Sequence, residues 1–163
     1  MSIVRRLARP MMATMFVVGG ADAFRHPDGR AVLAAPVATR IARAVPFPLP
    51  TDPVQLVRLD AATKVASGLL FATGRVPRLS ALVMAGSLVP TTLAGHPYWT
   101  FDDAAQRATQ RIHFLKNLGL LGGLLLAAVD TEGKPSLGYR ARKVAQLSAR
   151  RRGPGAAMSA LVP

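Results

Sequence analysis

The chain has 163 residues, half of them apolar and 18% charged, with a mean hydropathy of +0.28 and a formal net charge of +13. A soluble domain of this length carries more charge and clearer amphipathic alternation, and the basic residues lie between apolar segments or in tails rather than on an aromatic-studded face, which argues against nucleic acid as a partner. Cysteine is absent, which excludes disulfides, thiolate metal sites, CxxC redox chemistry and covalent haem attachment.

The first apolar segment follows Arg5, Arg6 and Arg9 and reads PMMATMFVVGGA. A basic start before an apolar run resembles a signal peptide, but the apolar pattern returns three more times, so a retained first span over about 10–25 is expected. Pro10 is expected in its first helical turn, where a missing N–H costs nothing. Breakers at Pro27 and Gly29 end it. Residues 26–53 then hold Pro27, Pro36, Pro46, Pro48, Pro50 and Pro53. Within this connection Ala31 to Val45 is too short and interrupted to span; it reads either as an amphipathic interfacial helix with Arg40 and Arg43 outward or as a surface loop with one helical turn.

A second span is expected over about 53–73. Arg58, Asp60 and Lys64 lie in its first half, and Asp60 and Lys64 are spaced to pair along one helical face. The turn with Gly74, Arg75, Pro77 and Arg78 permits only an antiparallel return into a third span over about 78–95. Pro90 inside that span frees the carbonyl four residues back, a defect that a hydroxyl such as Thr91 or Thr92 can compensate in a membrane. Tyr98, Trp99 and Phe101 follow and read as an aromatic interface belt.

The fourth span, about 111–130, starts with His113, Lys116 and Asn117 and then runs from Leu118 to Val129 without a polar side chain. Gly119, Gly122 and Gly123 read as a close-packing face. Beyond it lies a basic tail with Arg140, Arg142, Lys143, Arg150, Arg151 and Arg152. The expected organisation is an all-α polytopic membrane protein: residues 1–140 form a four-transmembrane-helix bundle with an amphipathic segment between spans one and two, and residues 141–163 form a mobile cytoplasmic tail.

With four spans, the N-terminus, the turn after span two and the tail share one side and hold twelve of the 21 Lys and Arg. The positive-inside rule then places both termini in the cytoplasm of a bacterial plasma membrane, with the tail near anionic lipid. In this orientation every span carries its polar groups in its outer half: Asp22 and His26, Asp60 and Lys64, Thr91, Thr92 and His96, and His113, Lys116 and Asn117. Charges near mid-membrane cost about 2.5–3.5 kcal/mol each on insertion scales, so a shared bias calls for a reason. One reading is an outward-facing pocket formed by Asp22, Asp60, Lys64, His96, His113, Lys116 and Asn117 that binds a small ligand, a quinone headgroup or a proton. The other is an ion-paired outer half that fixes helix packing, with Asp22 and Asp60 neutralising Lys64 and Lys116. No HxxxH pair supports a metal or haem site, and no Walker motif, GxSxG elbow or paired-carboxylate site is present.

Four stretches, RPMMATMFVVGG with the following Asp22, KVASGLLFATGRVPRLSAL, LAGHPYW and above all QRIHFLKNLGLLGGLLL, make the chain similar to the DoxX family of small four-span bacterial membrane proteins, particularly its actinobacterial members, over most of residues 9–140. The resemblance implies a four-helix bundle with cytoplasmic termini. It also implies a link to a quinol oxidase and thiosulfate:quinone oxidoreductase system, and to oxidative-stress and thiol homeostasis at the membrane. It implies no agreed catalytic residues. The expected role is a membrane accessory or scaffold subunit, not an enzyme by itself, with soluble redox enzymes or a respiratory complex as partners docked on the basic cytoplasmic surfaces. Membrane lipid is a further partner, and a homo-oligomer is compatible with the chain. The alternative is a quinone- or small-molecule-binding membrane protein with weak oxidoreductase or transport activity.

Overall fold

The structure, a computed structural model, describes residues 3–44, 50–131 and 142–148, with the side chains of 39 and 41–44 outside the description. The described residues are helical apart from turns, with no strand. Five helices follow in order: α1 Ile3–Arg25, α2 Asp28–Ala44, α3 Pro53–Thr73, α4 Pro77–Gly95 and α5 Ala104–Val129, with a single 3-10 turn at Tyr98–Thr100 before α5. The chain divides into two compact units, Met1–Val129 and Asp130–Pro163. In the second, residues 142–148, including Arg142 and Lys143, form a short exposed helix. Arg140, Arg150, Arg151 and Arg152 of the basic tail lie outside the described residues.

The helix ends have local causes. Asp52 caps α3, its carboxylate accepting from the backbone N–H of Val54 and Gln55 at 3.2 and 3.3 Å, and Pro53 occupies the first helical position. Gly74 ends α3 at φ 70°, a left-handed conformation that glycine adopts without penalty; from there the N–H groups of Gly74 and Arg75 close the Phe71 and Leu70 carbonyls. Arg78 Nε donates to the Ala128 carbonyl at 2.9 Å, placing a cation at the carbonyl end of α5 and tying α4 to it.

Two boundaries differ from expectation. Helix α1 begins at Ile3, so Pro10 lies inside it and not in its first turn. Helix α5 begins at Ala104, several residues before the expected span, because the Asp103 carboxylate caps it by accepting from Gln106 N–H at 2.7 Å. Between α1 and α3 the helical segment expected there is present, 17 residues long with Pro36 inside it, and the loop with one turn is not. Helix α2 packs on α3 and α4 and leaves Val32 and Leu33 exposed.

The packing is inverted relative to a soluble bundle. The core consists of Ala13, Phe16, Phe71, Ala81, Met84, Ala85, Leu88, Leu124 and Ala128, with alanines set between a few large side chains, while Leu69, Leu82, Leu115, Leu118, Leu125 and Leu126 face outward. Where the surroundings are hydrocarbon, burying leucine gains little, and close approach through small residues holds helices together. The closest contact lies between α1 and α3. A Cβ on Gly20 would stand 2.9 Å from the Ala61 carbonyl oxygen, and one on Gly68 would stand 2.8 Å from Val17 Cγ2. By contrast Gly119 and Gly122 meet nothing within 4 Å, and Gly123 meets only Met12. The tightest close-packing face is therefore Gly20 with Gly68, and of the three α5 glycines only Gly123 approaches a neighbouring helix.

Helix α4 with the following turn (Pro77–Thr100) and α5 (Ala104–Val129) are long and apolar enough to cross a membrane. Helix α3 is diluted by Arg58, Asp60 and Lys64, and α1 begins with three arginines. The Pro90 defect is handled differently from expectation. Thr91 and Thr92 donate to the Ser87 and Leu88 carbonyls, both at 2.7 Å, because a helical hydroxyl reaches the carbonyl four residues before it and so misses that of Gly86.

Gly20→Ala places a methyl group against a backbone oxygen that has no side chain to move aside, and a loss of about 1–3 kcal/mol is expected from overpacking. Gly119→Ala, in open space, is expected to leave stability unchanged or slightly raised. Thermal unfolding of both variants in detergent, followed by helical circular dichroism, checks the contrast.

Candidate functional site

The polar groups of the half remote from the Gly74 turn fall into three sets, arranged around α4 and at the corner between α1 and α2. In the first set Asp60 and Lys64, four apart on α3, face Ser87 and Thr91, four apart on α4. Lys64 Nζ donates to Asp60 Oδ2 at 2.5 Å and to Thr91 Oγ1 at 2.7 Å, and Ser87 Oγ donates to Asp60 Oδ1. The Lys64 side chain is 12% exposed and that of Asp60 37%. The amine is thus enclosed, while the carboxylate reaches the edge of the bundle. An enclosed amine needs its partner: removing the carboxylate leaves a desolvated cation and a hydroxyl without its acceptor.

The second set lies between α4 and α5. Asn117, buried, donates through Nδ2 to Thr92 Oγ1 at 3.1 Å. Nearer the helix ends His96 and His113 stack with ring centroids 5.1 Å apart and planes at 26°, and His96 Nδ1 lies 2.8 Å from Gln110 Oε1. Tyr98, Trp99 and Phe114 pack edge to face beside them. Phe114 thus takes the place expected of Phe101. A lateral crevice of about 90 Å³, lined by residues including Leu88, Thr92, Phe114, Asn117 and Leu121, opens along this seam. On the other side of α4 a broader groove of about 270 Å³ runs along Ala66, Leu70, Leu79 and Val83; its buried hydroxyls, Ser67 and Ser80, donate to the Thr63 and Val76 carbonyls, leaving hydrocarbon facing the groove.

The third set closes the corner between α1 and α2. Arg30 reaches back from α2 to Asp22 Oδ2 at 2.6 Å and to the His26 carbonyl at 3.0 Å, and His26 Nδ1 lies 3.2 Å from Asp22 Oδ1. Asp22 is therefore engaged by Arg30 and His26, not by Lys64 or Lys116.

Of the seven residues singled out in the sequence, the structure joins Asp60 to Lys64 and gathers His96, His113 and Asn117 along one seam. Asp22 stands apart in its own network. Lys116, one residue before the buried Asn117, is turned about 100° away around the helix and is exposed, with no polar contact to the other six. Ser87, Arg30 and Gln110 were not anticipated. The signal for Ser87 is its four-residue spacing from Thr91, matching that of Asp60 and Lys64 on the facing helix. Among the described residues no group of three His, Asp or Glu side chains is placed to hold a metal ion.

A leucine-faced helical bundle, closed in one half by its own polar side chains, defines a small helical membrane protein. A family model described as DoxX matches residues 5–97, more than half of the chain, and the protein belongs to the DoxX family. The match covers α1 to α4 and ends at Pro97, before α5, where the sequence likeness rested most heavily. No curated protein and no solved structure matches the chain.

Asp60→Ala is expected to destabilise the bundle by about 1–3 kcal/mol by stranding Lys64 and Ser87, and Asp60→Ala with Lys64→Leu to recover much of that loss. A double-mutant cycle from unfolding curves in detergent measures the coupling.

Proposed function

We propose that the protein is a membrane accessory or scaffold subunit serving a redox or oxidative-stress complex, and not an enzyme by itself. The observation that carries this reading is the mutual closure of Asp60, Lys64, Ser87 and Thr91. The charges between α3 and α4, Asp60 and Lys64, are satisfied by one another and by the hydroxyls of the facing helix, the arrangement expected of a device that fixes packing. The redox setting rests on family membership. The distribution of Lys and Arg supports an orientation with both termini in the cytoplasm. There the turn holding Arg75 and Arg78 offers one basic surface, and the exposed Arg142 and Lys143 of the tail offer another, to an acidic soluble enzyme or to a respiratory complex.

The α4–α5 crevice favours a second reading, a binding site for a quinone or another small amphiphile, with the Asn117 amide at its wall. The crevice is narrow, about 90 Å³, so a quinone ring would have to part the helices to enter, and that narrowness favours the first reading.

Purification of the full chain in mild detergent, with identification of every co-purifying protein and quinone, separates the two. Protein partners that are lost on truncation after Tyr139 and retained in Asp60→Asn are the expected result. A stoichiometric quinone that is lost in Asn117→Leu would move the assignment to the second reading.

A further inference from the structure

The outward face of α5 carries a feature that neither the bundle nor its lipid surroundings account for. Ile112, Leu115, Lys116, Gly119, Gly122 and Leu126 follow one another down this face, and all are exposed, Leu126 to 72%. At a rise of about 1.5 Å per residue Lys116 stands about 20 Å from Val129, roughly two thirds of the way across hydrocarbon about 30 Å thick. Ionisable side chains at such depth normally face the bundle interior or pair with a neighbour, and Lys64 on α3 does both. Lys116 does neither: it is exposed, and no ion pair reaches it among the described residues, whereas Lys64 pairs with Asp60.

One turn further into the membrane on the same face, Gly119 and Gly122 leave the α5 backbone bare, with open space where a Cβ would stand. Each glycine costs a helix about 1 kcal/mol relative to alanine, and Gly20 and Gly68 show what this bundle uses glycine for, close approach of a second helix. Lipid chains gain nothing from a bare backbone, whereas a facing helix does. A second copy of this chain is a poor occupant. Copies inserted in the same orientation would bring Lys116 against Lys116, and the carboxylates of the outer half, Asp22 and Asp60, are already engaged.

We propose that the Ile112–Leu126 face of α5 docks a transmembrane helix of a partner protein, with a glutamate or aspartate of that helix pairing with Lys116 and its backbone lying against Gly119 and Gly122. This rests on the accessory-subunit reading and locates its partner within the membrane, in addition to the cytoplasmic surface. The two fail separately: the accessory reading fails if no protein co-purifies, whatever a model helix does.

The test uses a donor dye on the full chain carrying Thr100→Cys and an acceptor-labelled leucine–alanine transmembrane peptide of about 22 residues with one central glutamate, both in phosphatidylcholine vesicles. Energy transfer is expected to saturate at about tenfold less peptide than for the glutamine version of the same peptide. Lys116→Gln should abolish that preference, Lys116→Glu should reverse it in favour of a lysine peptide, and Gly119→Leu with Gly122→Leu should weaken transfer while Lys116 is intact. Equal transfer with the glutamate and glutamine peptides, or a preference that survives Lys116→Gln, overturns the proposal. Loss of the preference when phosphatidylglycerol is added assigns Lys116 to lipid headgroups and overturns it as well, as does stronger transfer between two copies of the chain than to the peptide. Helical circular dichroism of each variant in the same vesicles accompanies the measurement, and a variant with reduced helicity is replaced by Lys116→Met, for which loss of the preference supports the proposal and its retention overturns it.

Discussion

The fold depends on how closely α1 and α3 can approach. With hydrocarbon outside, a leucine gains little by turning inward, and the helices are held by van der Waals contact between backbones that small residues allow to meet. Gly20 against the Ala61 carbonyl and Gly68 against Val17 are where that contact is tightest. The remaining packing follows from it. Phe16 and Phe71 fill the space beside the glycines, Met84 and Leu124 extend the core toward α4 and α5, and the large leucines are left for the outer surface.

Polar side chains then divide the bundle into two unlike halves. Toward the Gly74 turn, hydroxyls such as Ser67 and Ser80 bond to carbonyls of their own helices, and Arg78 donating to the Ala128 carbonyl is a cross-helix bond. Toward the other end the bonds cross from helix to helix: Lys64 and Asp60 to Thr91 and Ser87, Asn117 to Thr92, His96 to Gln110, and Arg30 to Asp22. Helix α4 is the hub, with one flank bonded to α3 and the adjacent flank bonded to α5. A bundle locked in this half presents fixed outer faces, a property suited to a subunit that positions other proteins.

Much of this architecture is readable from residue order. The apolar runs, the Gly74 turn and the pairing of Asp60 with Lys64 all depend on local spacing, and local spacing is what a helix preserves. What escaped depends on helix rotation and on contacts across a corner. Gly119 and Gly20 look alike in a sequence, yet only one faces a neighbour. Lys116 and Asn117 are adjacent in the chain and end up on different faces of α5. Arg30 is eight residues from Asp22, a separation with no helical meaning until Pro27 turns the chain. The early start of α5 was signalled by Asp103, three residues before Gln106, but the polar first turns of AAQRATQR concealed a helix that extends beyond its apolar stretch.

We propose that the bundle is embedded in lipid with its polar half facing the outside. Because the natural chain has no cysteine, single cysteines report their surroundings without background. In intact cells a membrane-impermeant maleimide is predicted to label Thr100→Cys, to label Gly74→Cys only after permeabilisation, and to leave Leu69→Cys and Leu126→Cys unlabelled in both cases. Labelling of Leu126→Cys by the impermeant reagent, or of Gly74→Cys but not Thr100→Cys in intact cells, would contradict the account.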